Sequence, residues 1–356
     1  MNASKKDIRS VIAKAHKSPG YRYLHFDPER VLFDVFDGME DICSTIPVTE
    51  KTSFNAFSTT KTITSAAILS LVQDGRINIE DSAGKYLSEH EIPAHVKIKH
   101  LLNHQSGISN PIPLKWIHFK EEHGNFEPSD FADQLLKSKM NFKKHSGVKF
   151  SYSNLNYLLL GKIIEEVTDQ SYTEFVTRRI LDPIEDDGNL MGFEYPENNH
   201  AIGYHKNNGF QRLLLKLLVN KKGLLQEANS DWISLHPFYV NGTAYGGLFC
   251  HPKSMVRYCQ RLMPGNESLL SESTKKWIYN DSPTENGQST GMSMGWFLGR
   301  INGHNYICHA GGGAGYYSEI RVYPEMNKGS VIMFNSSGMK DKRVLDSIDK
   351  QFIGNG

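Results

Sequence analysis

Apolar and polar residues follow two different periods along this chain, and the change between them divides it into three parts. Residues 21–26 (YRYLHF) and 30–36 (RVLFDVF) alternate or run apolar on either side of an Asp-Pro pair, which predicts two strands joined by a turn. Residues 58–73 are apolar on nearly every face and stop at an Asp-Gly pair. This pattern predicts a central helix that is buried all round.

The second part, residues 81–234, has helical periods and few strand signals. The predicted helices are residues 95–108, 130–140, 157–181 and 210–225. The last of them is rich in Leu and Lys, so a lid over an active site or a membrane-surface helix is an alternative. The pattern favours a packed core helix whose lysines are solvated.

The third part returns to short strands punctuated by Gly, Pro and Asn. The predicted strands are residues 294–301, 304–310, 316–324 and 329–337, and a charged helix at 339–352 follows them. The order predicts an α/β (α+β) fold, with an antiparallel sheet flanked by helices built from residues 1–80 and 235–356. Residues 81–234 would form an inserted, all-helical subdomain, with the active site at the seam.

Composition and charge exclude several classes of function. The 356 residues suit one large domain or two closely associated domains. The 40 basic and 39 acidic residues give a net charge of +1, so no nucleic-acid partner is indicated. No apolar stretch approaches the roughly 20 residues that span a bilayer. The first 20 residues lack the apolar run of an export signal, which predicts a cytoplasmic protein.

Neither the cysteines nor the histidines suggest a metal centre. The four cysteines have no CxxC spacing and are predicted to be free thiols: Cys43, Cys250, Cys259 and Cys308. His90 and His95 have the wrong spacing for a helical zinc site and are separated by a proline. We therefore predict no metal and no cofactor.

A serine and a lysine one helical turn apart begin the apolar helix. Side chains at positions i and i+3 lie on one helix face, so the amine of Lys61 can reach the hydroxyl of Ser58. Burial lowers the pKa of an ammonium group, so Lys61 could act as a base, and the helix amino terminus offers N–H groups to an oxyanion. The Ser-x-x-Lys spacing recurs at Ser82, Ser146, Ser273, Ser337 and Ser347. At those positions the favoured interpretation is a serine that caps a helix and a lysine that is solvated.

Five segments in order resemble the serine β-lactamases and low-molecular-weight penicillin-binding proteins, especially the class C group. The first is FSTTKTITSAAILSLVQDGRINIEDSAGKYL, which contains Ser58 and Lys61. The others are LLNHQSGI (101–108), FSYSNLNYLLLGKIIEEVTDQSY (150–172), YGGLFCHPKSMVRY (245–258) and CHAGGGAGYYSEIRVYPE (308–325).

The resemblance implies a second motif, Tyr-x-Asn, at Tyr152 and Asn154. Tyr152 would share proton transfer with Lys61, whose charge is expected to lower the pKa of the phenol. Asn154 would position the acyl side chain of the substrate. A second Tyr-x-Asn, at residues 239–241, lacks the flanking pattern. If Tyr152 and Asn154 also lacked that pattern, a buried core Tyr and a capping Asn would be the favoured interpretation.

The third family motif, Lys-Thr-Gly, is replaced here by His309-Ala310-Gly311. The change removes a fixed cation and a hydroxyl that help to hold the carboxylate of a β-lactam or a D-alanyl peptide. His-x-Gly is familiar among β-lactamase-like esterases and D-amino-acid peptidases, so His309 is expected to contact substrate. The N–H of Gly312 would join that of Ser58 in an oxyanion hole, beside Gly311.

These residues predict a serine hydrolase that acts by ping-pong acyl transfer on a small-molecule ester or amide, with small carboxylic esters favoured. The alternatives are a penicillin-binding D-alanyl or D-amino-acid peptidase with weak β-lactamase activity, and a catalytically silent relative that binds ligand or assembles. His104 is expected to bond neighbouring backbone. Neither the natural substrate nor the oligomeric state follows from the sequence.

Overall fold

The chain folds into one large sheet, several small ones and the helices around them. The computed structural model describes residues 5–111, 116–142, 146–184, 191–207, 223–337 and 343–353. The strands are β1 (Gly20–Phe26), β2 (Val31–Asp41), β3 (Ile46–Pro47), β4 (Phe54–Asn55), β5 (Ile117–Phe119), β6 (Met191–Gly192), β7 (Tyr204–Lys206), β8 (Leu225–Glu227), β9 (Trp232–Leu235), β10 (Phe238–Val240), β11 (Phe249–Cys250), β12 (Phe297–Ile301), β13 (His304–Gly313), β14 (Tyr316–Tyr323) and β15 (Lys328–Phe334).

The helices flank that sheet and fill the middle of the chain. They are α1 (Lys5–Ala15), α2 (Thr60–Gln73), α3 (Ile98–Leu102), α4 (Pro128–Lys139), α5 (Asn154–Thr168), α6 (Tyr172–Val176), α7 (Thr243–Gly246), α8 (Pro252–Leu262), α9 (Glu272–Tyr279) and α10 (Leu345–Asp349). None of those within the described ranges has the length and apolarity to span a bilayer.

The large sheet confirms the predicted fold class. Its seven described strands are antiparallel and run in the order β12-β13-β14-β15-β1-β2-β3. Strands from the two ends of the chain meet where Tyr21 of β1 lies opposite Phe334 of β15. The predicted strands at 21–26 and 30–36 and the four in the carboxyl part all belong to this sheet.

Helices cover both faces of the sheet. On one face Ile8 and Ile12 of α1 join Leu345 and Ile348 of α10 in an apolar cluster. On the other face the main core contains α2, α5 and α8. Every residue of β14 is buried as a result, as expected of a strand that lies between two layers.

The predicted central helix is present and buried. A short 3-10 turn at Phe57–Thr59 leads into α2, whose residues from Thr60 to Leu71 are all buried. Ser58 therefore lies in the turn immediately before the α-helix, where backbone N–H groups have no intrahelical partner.

The middle of the chain contains strands as well as helices. Helices α3, α4, α5 and α6 lie there, but so do β5 to β9, which take part in three small sheets. This differs from the all-helical expectation, because strands of two to four residues show too little alternation to be recognised in a sequence. The predicted helix at 210–225 lies outside the described residues up to 222, and Leu225 begins β8. The division into 1–80 with 235–356 and 81–234 stays a prediction.

The cysteines are free thiols, as predicted. Cys43 is exposed, whereas Cys250, Cys259 and Cys308 are buried.

Candidate active site

The turn that carries Ser58 is held from two sides. The carbonyl oxygen of Ala56 accepts hydrogen bonds from the hydroxyl of Thr59, at 2.8 Å, and from the hydroxyl of Ser318 on β14, at 2.6 Å. Phe57 has a φ of 47°, in the left-handed region that residues other than glycine seldom occupy. Ser58 is thereby presented, partly exposed, at the start of a rigid and buried helix.

Lys61 lies fully buried beside the Ser58 hydroxyl. Its Nζ lies within hydrogen-bond distance of Ser58 Oγ, at 3.0 Å, and donates to the backbone carbonyl of Tyr245 at 2.8 Å. It also lies over the rings of Tyr152, Tyr157 and Tyr245, 5.1, 5.7 and 5.3 Å from their centroids. Burial lowers the pKa of Lys61 well below 10.5, in the direction predicted.

A second buried lysine shows what is unusual about Lys61. The Nζ of Lys275 also donates to a backbone carbonyl, that of Met263, but it forms an ion pair with Glu272 at 2.8 Å. Lys61 has no carboxylate within salt-bridge distance among the described residues. An unpaired buried ammonium is costly, so the neutral amine is favoured.

Tyr152 completes a three-residue cluster with Ser58 and Lys61. Its hydroxyl donates to Ser58 Oγ at 3.0 Å. Burial raises the pKa of Tyr152, so the predicted lowering was wrong. The effect of burial dominates, because Lys61 favours its neutral form and offers little charge to stabilise a phenolate. The phenol therefore stays protonated and can donate a proton.

Asn154 begins α5, two residues after Tyr152. Its backbone N–H is bound by the side chain of Asn110 at 3.0 Å, and its own amide group makes no hydrogen bond to the part of the chain that the structure describes. The amide is thus available to a substrate. In the other Tyr-x-Asn, the hydroxyl of Tyr239 accepts a hydrogen bond from the backbone of Tyr195 instead.

His309 is completely buried. Its Nδ1 lies 3.0 Å from the carbonyl oxygen of Ala310, while its Nε2 has no partner among the described residues. Burial lowers the pKa of His309 to about 3. The imidazole is therefore neutral near pH 7, and its predicted contact with substrate stays a prediction.

The glycine run brings β13 against Ser58. A Cβ atom on Gly311 would lie 2.3 Å from the Ala56 carbonyl oxygen and 2.7 Å from the Ser58 nitrogen, so only glycine fits. Strand β13 pairs with β12 only as far as Cys308. Beyond Cys308, every second N–H group of β13 points to the side of the strand that β12 no longer covers. Gly312 is exposed at this free edge, as an oxyanion donor must be.

Sequence reasoning missed two contributors to this site. Tyr245 supplies a backbone carbonyl to Lys61, and no side-chain pattern reveals a backbone acceptor. Phe57 supplies the strained turn before Ser58. His104, by contrast, bonds neighbouring backbone as predicted: its carbonyl oxygen accepts from the N–H of Ser151 at 2.7 Å.

No group of three or more His, Cys, Asp or Glu side chains within the described ranges is arranged to hold a metal ion. The cluster of Ser58, Lys61 and Tyr152 instead has the parts that acyl transfer requires: a nucleophile, a base and a proton donor within hydrogen-bond distance.

The chain is similar in sequence and in fold to several known proteins. A family model described as "Beta-lactamase" matches residues 8–351. Protein flp of Staphylococcus aureus (strain MRSA252) is 24% identical over 99% of this chain and 67% of its own length. Among solved structures, an octameric penicillin-binding protein homologue from Pyrococcus abyssi is 22% identical, with a TM-score of 0.76, and the match covers 98% of this chain and 76% of that one. D-amino acid amidase from Ochrobactrum anthropi SV3 is 18% identical, with a TM-score of 0.79, and the match covers 98% of both chains.

Proposed function

The chain belongs to the beta-lactamase family of serine hydrolases, and we propose that it hydrolyses small carboxylic esters through an acyl-enzyme on Ser58. The observation that carries the proposal is the position of Ser58 Oγ, 3.0 Å from both Lys61 Nζ and the Tyr152 hydroxyl. A serine hydroxyl between a neutral amine and a protonated phenol has one group to take its proton and another to give one.

The reaction follows from these positions. Neutral Lys61 takes the proton of Ser58 as Oγ bonds to the ester carbonyl carbon, and the oxyanion accepts hydrogen bonds from the N–H groups of Ser58 and Gly312. The carbon–oxygen bond to the alcohol then breaks, and Tyr152 protonates the leaving alkoxide. The Lys61 ammonium returns a proton to Tyr152. Water attacks the acyl-enzyme in the same way, which releases the acid and restores Ser58.

The preference for uncharged esters rests on His309. A residue held neutral by a pKa of about 3 supplies no fixed charge where the family motif has lysine, and Ala310 supplies no hydroxyl. A substrate carboxylate would therefore lose the partners that hold it in typical β-lactamases. A substrate with an uncharged acyl group loses no binding contact when His and Ala replace Lys and Thr.

The test compares substrate classes in matched serine variants. Wild type, Ser58→Ala and Ser273→Ala are assayed with p-nitrophenyl acetate, butyrate and octanoate, with the cephalosporin nitrocefin, and with D-phenylalanine amide. Ser273 is the matched control, because it begins another Ser-x-x-Lys, with both side chains exposed on α9. Ester turnover that is lost only in Ser58→Ala, with an acyl adduct on Ser58 in the intact mass, supports the proposal.

Other outcomes separate the alternatives. Faster Ser58-dependent turnover of nitrocefin or of the D-amide than of the esters would assign a β-lactamase or an amidase of the kind that the structural neighbour's name describes. No Ser58-dependent reaction and no adduct would favour a relative that binds ligand without catalysis.

A further inference from the structure

We propose that His104 is a positioning residue that holds the Tyr152 hydroxyl against Ser58, an inference that rests on the proposed function. No hydrogen bond joins His104 to Ser58 or Lys61 in the described chain. It acts instead on the three-residue segment that contains Tyr152.

His104 forms hydrogen bonds to this segment on both sides of the tyrosine. Its backbone carbonyl accepts from the N–H of Ser151 at 2.7 Å, and its Nδ1 accepts from the N–H of Ser153 at 3.2 Å. Between these bonds its ring packs on the Tyr152 ring, with centroids 4.3 Å apart and planes inclined by 35°. The three contacts restrain the residue before Tyr152, the tyrosine itself and the residue after it.

The hydrogen bonds also define which nitrogen of His104 carries the proton. The amide nitrogen of Asn156 donates to the same Nδ1 at 3.0 Å, and its amide oxygen accepts from the hydroxyl of Ser106, which in turn accepts from the Ile108 N–H. Two donors therefore point at Nδ1, which must be the unprotonated nitrogen. A proton on Nδ1 would oppose both donors and release Ser153.

The backbone conformation of His104 allows it to bond both Ser151 and Ser153. Its φ is 58°, in the left-handed region, where Asn, Asp and His are tolerated better than most residues. This turn directs both the carbonyl oxygen and the side chain toward residues 151–153. A substitution must therefore tolerate the left-handed conformation as well as supply an acceptor.

The surroundings keep His104 neutral. The titratable groups that face it are Lys61 on α2, His309 on β13, Tyr152, and Tyr157 on α5, whose ring centroid is 5.2 Å away. Burial lowers the pKa of His104 well below 6.5. Nδ1 thus remains an acceptor at the pH where the hydrolase would work.

Three variants at this position separate the acceptor from the ring. His104→Asn places an amide oxygen near the position of Nδ1 and tolerates the left-handed backbone, whereas His104→Gln places its amide one bond further out. His104→Ala has neither acceptor nor ring. We expect ethyl butyrate hydrolysis to fall roughly 10- to 100-fold in the Ala and Gln variants, as for a misplaced catalytic group, and by about 3-fold in the Asn variant.

The leaving group distinguishes positioning of Tyr152 from general loss of structure. An ethoxide leaving group needs a proton, whereas p-nitrophenolate does not. If His104 acts through Tyr152, His104→Ala lowers the rate with ethyl butyrate more than with p-nitrophenyl butyrate. The same substitution in a Tyr152→Phe background then leaves that ratio unchanged. Thermal unfolding of each variant identifies those that are folded, and the Asn and Gln variants suffice if Ala does not fold.

Each result decides something. Equal losses with both esters, or an Asn variant no better than the Gln variant, would overturn this inference while the wild-type acyl adduct on Ser58 upholds the proposed function. A wild-type protein without Ser58-dependent turnover or adduct would overturn both.

Discussion

The hydroxyl of Ser318 donates a hydrogen bond to the carbonyl oxygen of Ala56 over 2.6 Å, and this bond joins the interior strand β14 to the turn that carries Ser58. The same carbonyl oxygen is the nearest atom to a Cβ placed on Gly311. One backbone atom thus sets the distance between the nucleophile and the strand that would supply its oxyanion donor. The position of Ser58 depends on the register of the sheet as well as on its own helix.

Ser318→Ala should disturb catalysis more than folding. Loss of one buried hydrogen bond costs about 1 kcal/mol of unfolding free energy, while the loosened turn should lower kcat/KM by roughly 10-fold. Ser293→Ala is the control, since the Ser293 hydroxyl also donates to a backbone carbonyl, that of Trp296. Urea unfolding and p-nitrophenyl butyrate assays of both variants check this. Equal kinetic effects would show that Ser318 has no special relation to Ser58.

Tyr152→Phe should abolish most turnover of alkyl esters. The variant keeps the ring but loses the hydroxyl that donates to Ser58 Oγ, and a general acid typically contributes about 100- to 10,000-fold. Tyr239→Phe, in the other Tyr-x-Asn, is the control and should retain wild-type rates. Hydrolysis of ethyl butyrate, followed by titration of the released acid, measures both. Comparable losses in the two variants would contradict the assignment of Tyr152.

The parts of this molecule that could be predicted are those that repeated side-chain patterns encode. The alternation at 21–26 and the apolar run at 58–73 predict β1 and α2, because burial imposes those periods over several residues. The motif residues Ser58, Lys61 and Tyr152 could be predicted to meet from the resemblance. Their roles, like the cytoplasmic location, stay predictions.

What could not be predicted depends on backbone atoms and on the balance of opposing effects. The carbonyl of Tyr245 binds Lys61, but any residue type at that position would offer the same acceptor. The pKa of Tyr152 is raised by burial and would be lowered by a nearby cation, and only the three-dimensional arrangement shows which effect dominates. Short strands such as β5 are defined by their partners, β10 in this case, rather than by their own residues.

The pH dependence of the rate should report Lys61. A base must be unprotonated, so kcat/KM should rise with pH as the Lys61 ammonium loses its proton and then level off. Because burial lowers the pKa of Lys61, the midpoint should lie well below 10.5. Lys61→Arg, which stays protonated, should be inactive at every pH. A rate that rises until pH 10.5, or an active Arg variant, would exclude Lys61 as the base.

Buried histidines should make the fold sensitive to mild acid. Six buried histidines among the described residues have a pKa lowered by burial: His25, His100, His104, His200, His251 and His309. In the unfolded chain they take up protons near their ordinary pKa of 6.5, whereas in the native state they do not until the pH is much lower. The unfolded state therefore binds more protons, and the free energy of unfolding falls as the pH falls below about 6.5. Each such histidine contributes at most roughly 1.4 kcal/mol per pH unit.

Urea unfolding at pH 7.5, 6.5, 5.5 and 4.5 tests this expectation, with His200→Gln as the diagnostic variant. Burial lowers the pKa of His200 to about 3, and the side chain of His200 bonds Ser53 and Asn55. Glutamine does not titrate, and it replaces a histidine that is bonded in the native state, so the variant should be less stable at pH 7.5. Its free energy of unfolding should then fall less steeply as the pH falls, because the unfolded variant takes up about one proton fewer. If the wild-type midpoint stayed constant from pH 7.5 to 5.5, the histidines would have to take up protons in the native state as readily as in the unfolded chain, and the assignment of His104 and His309 as neutral would be wrong.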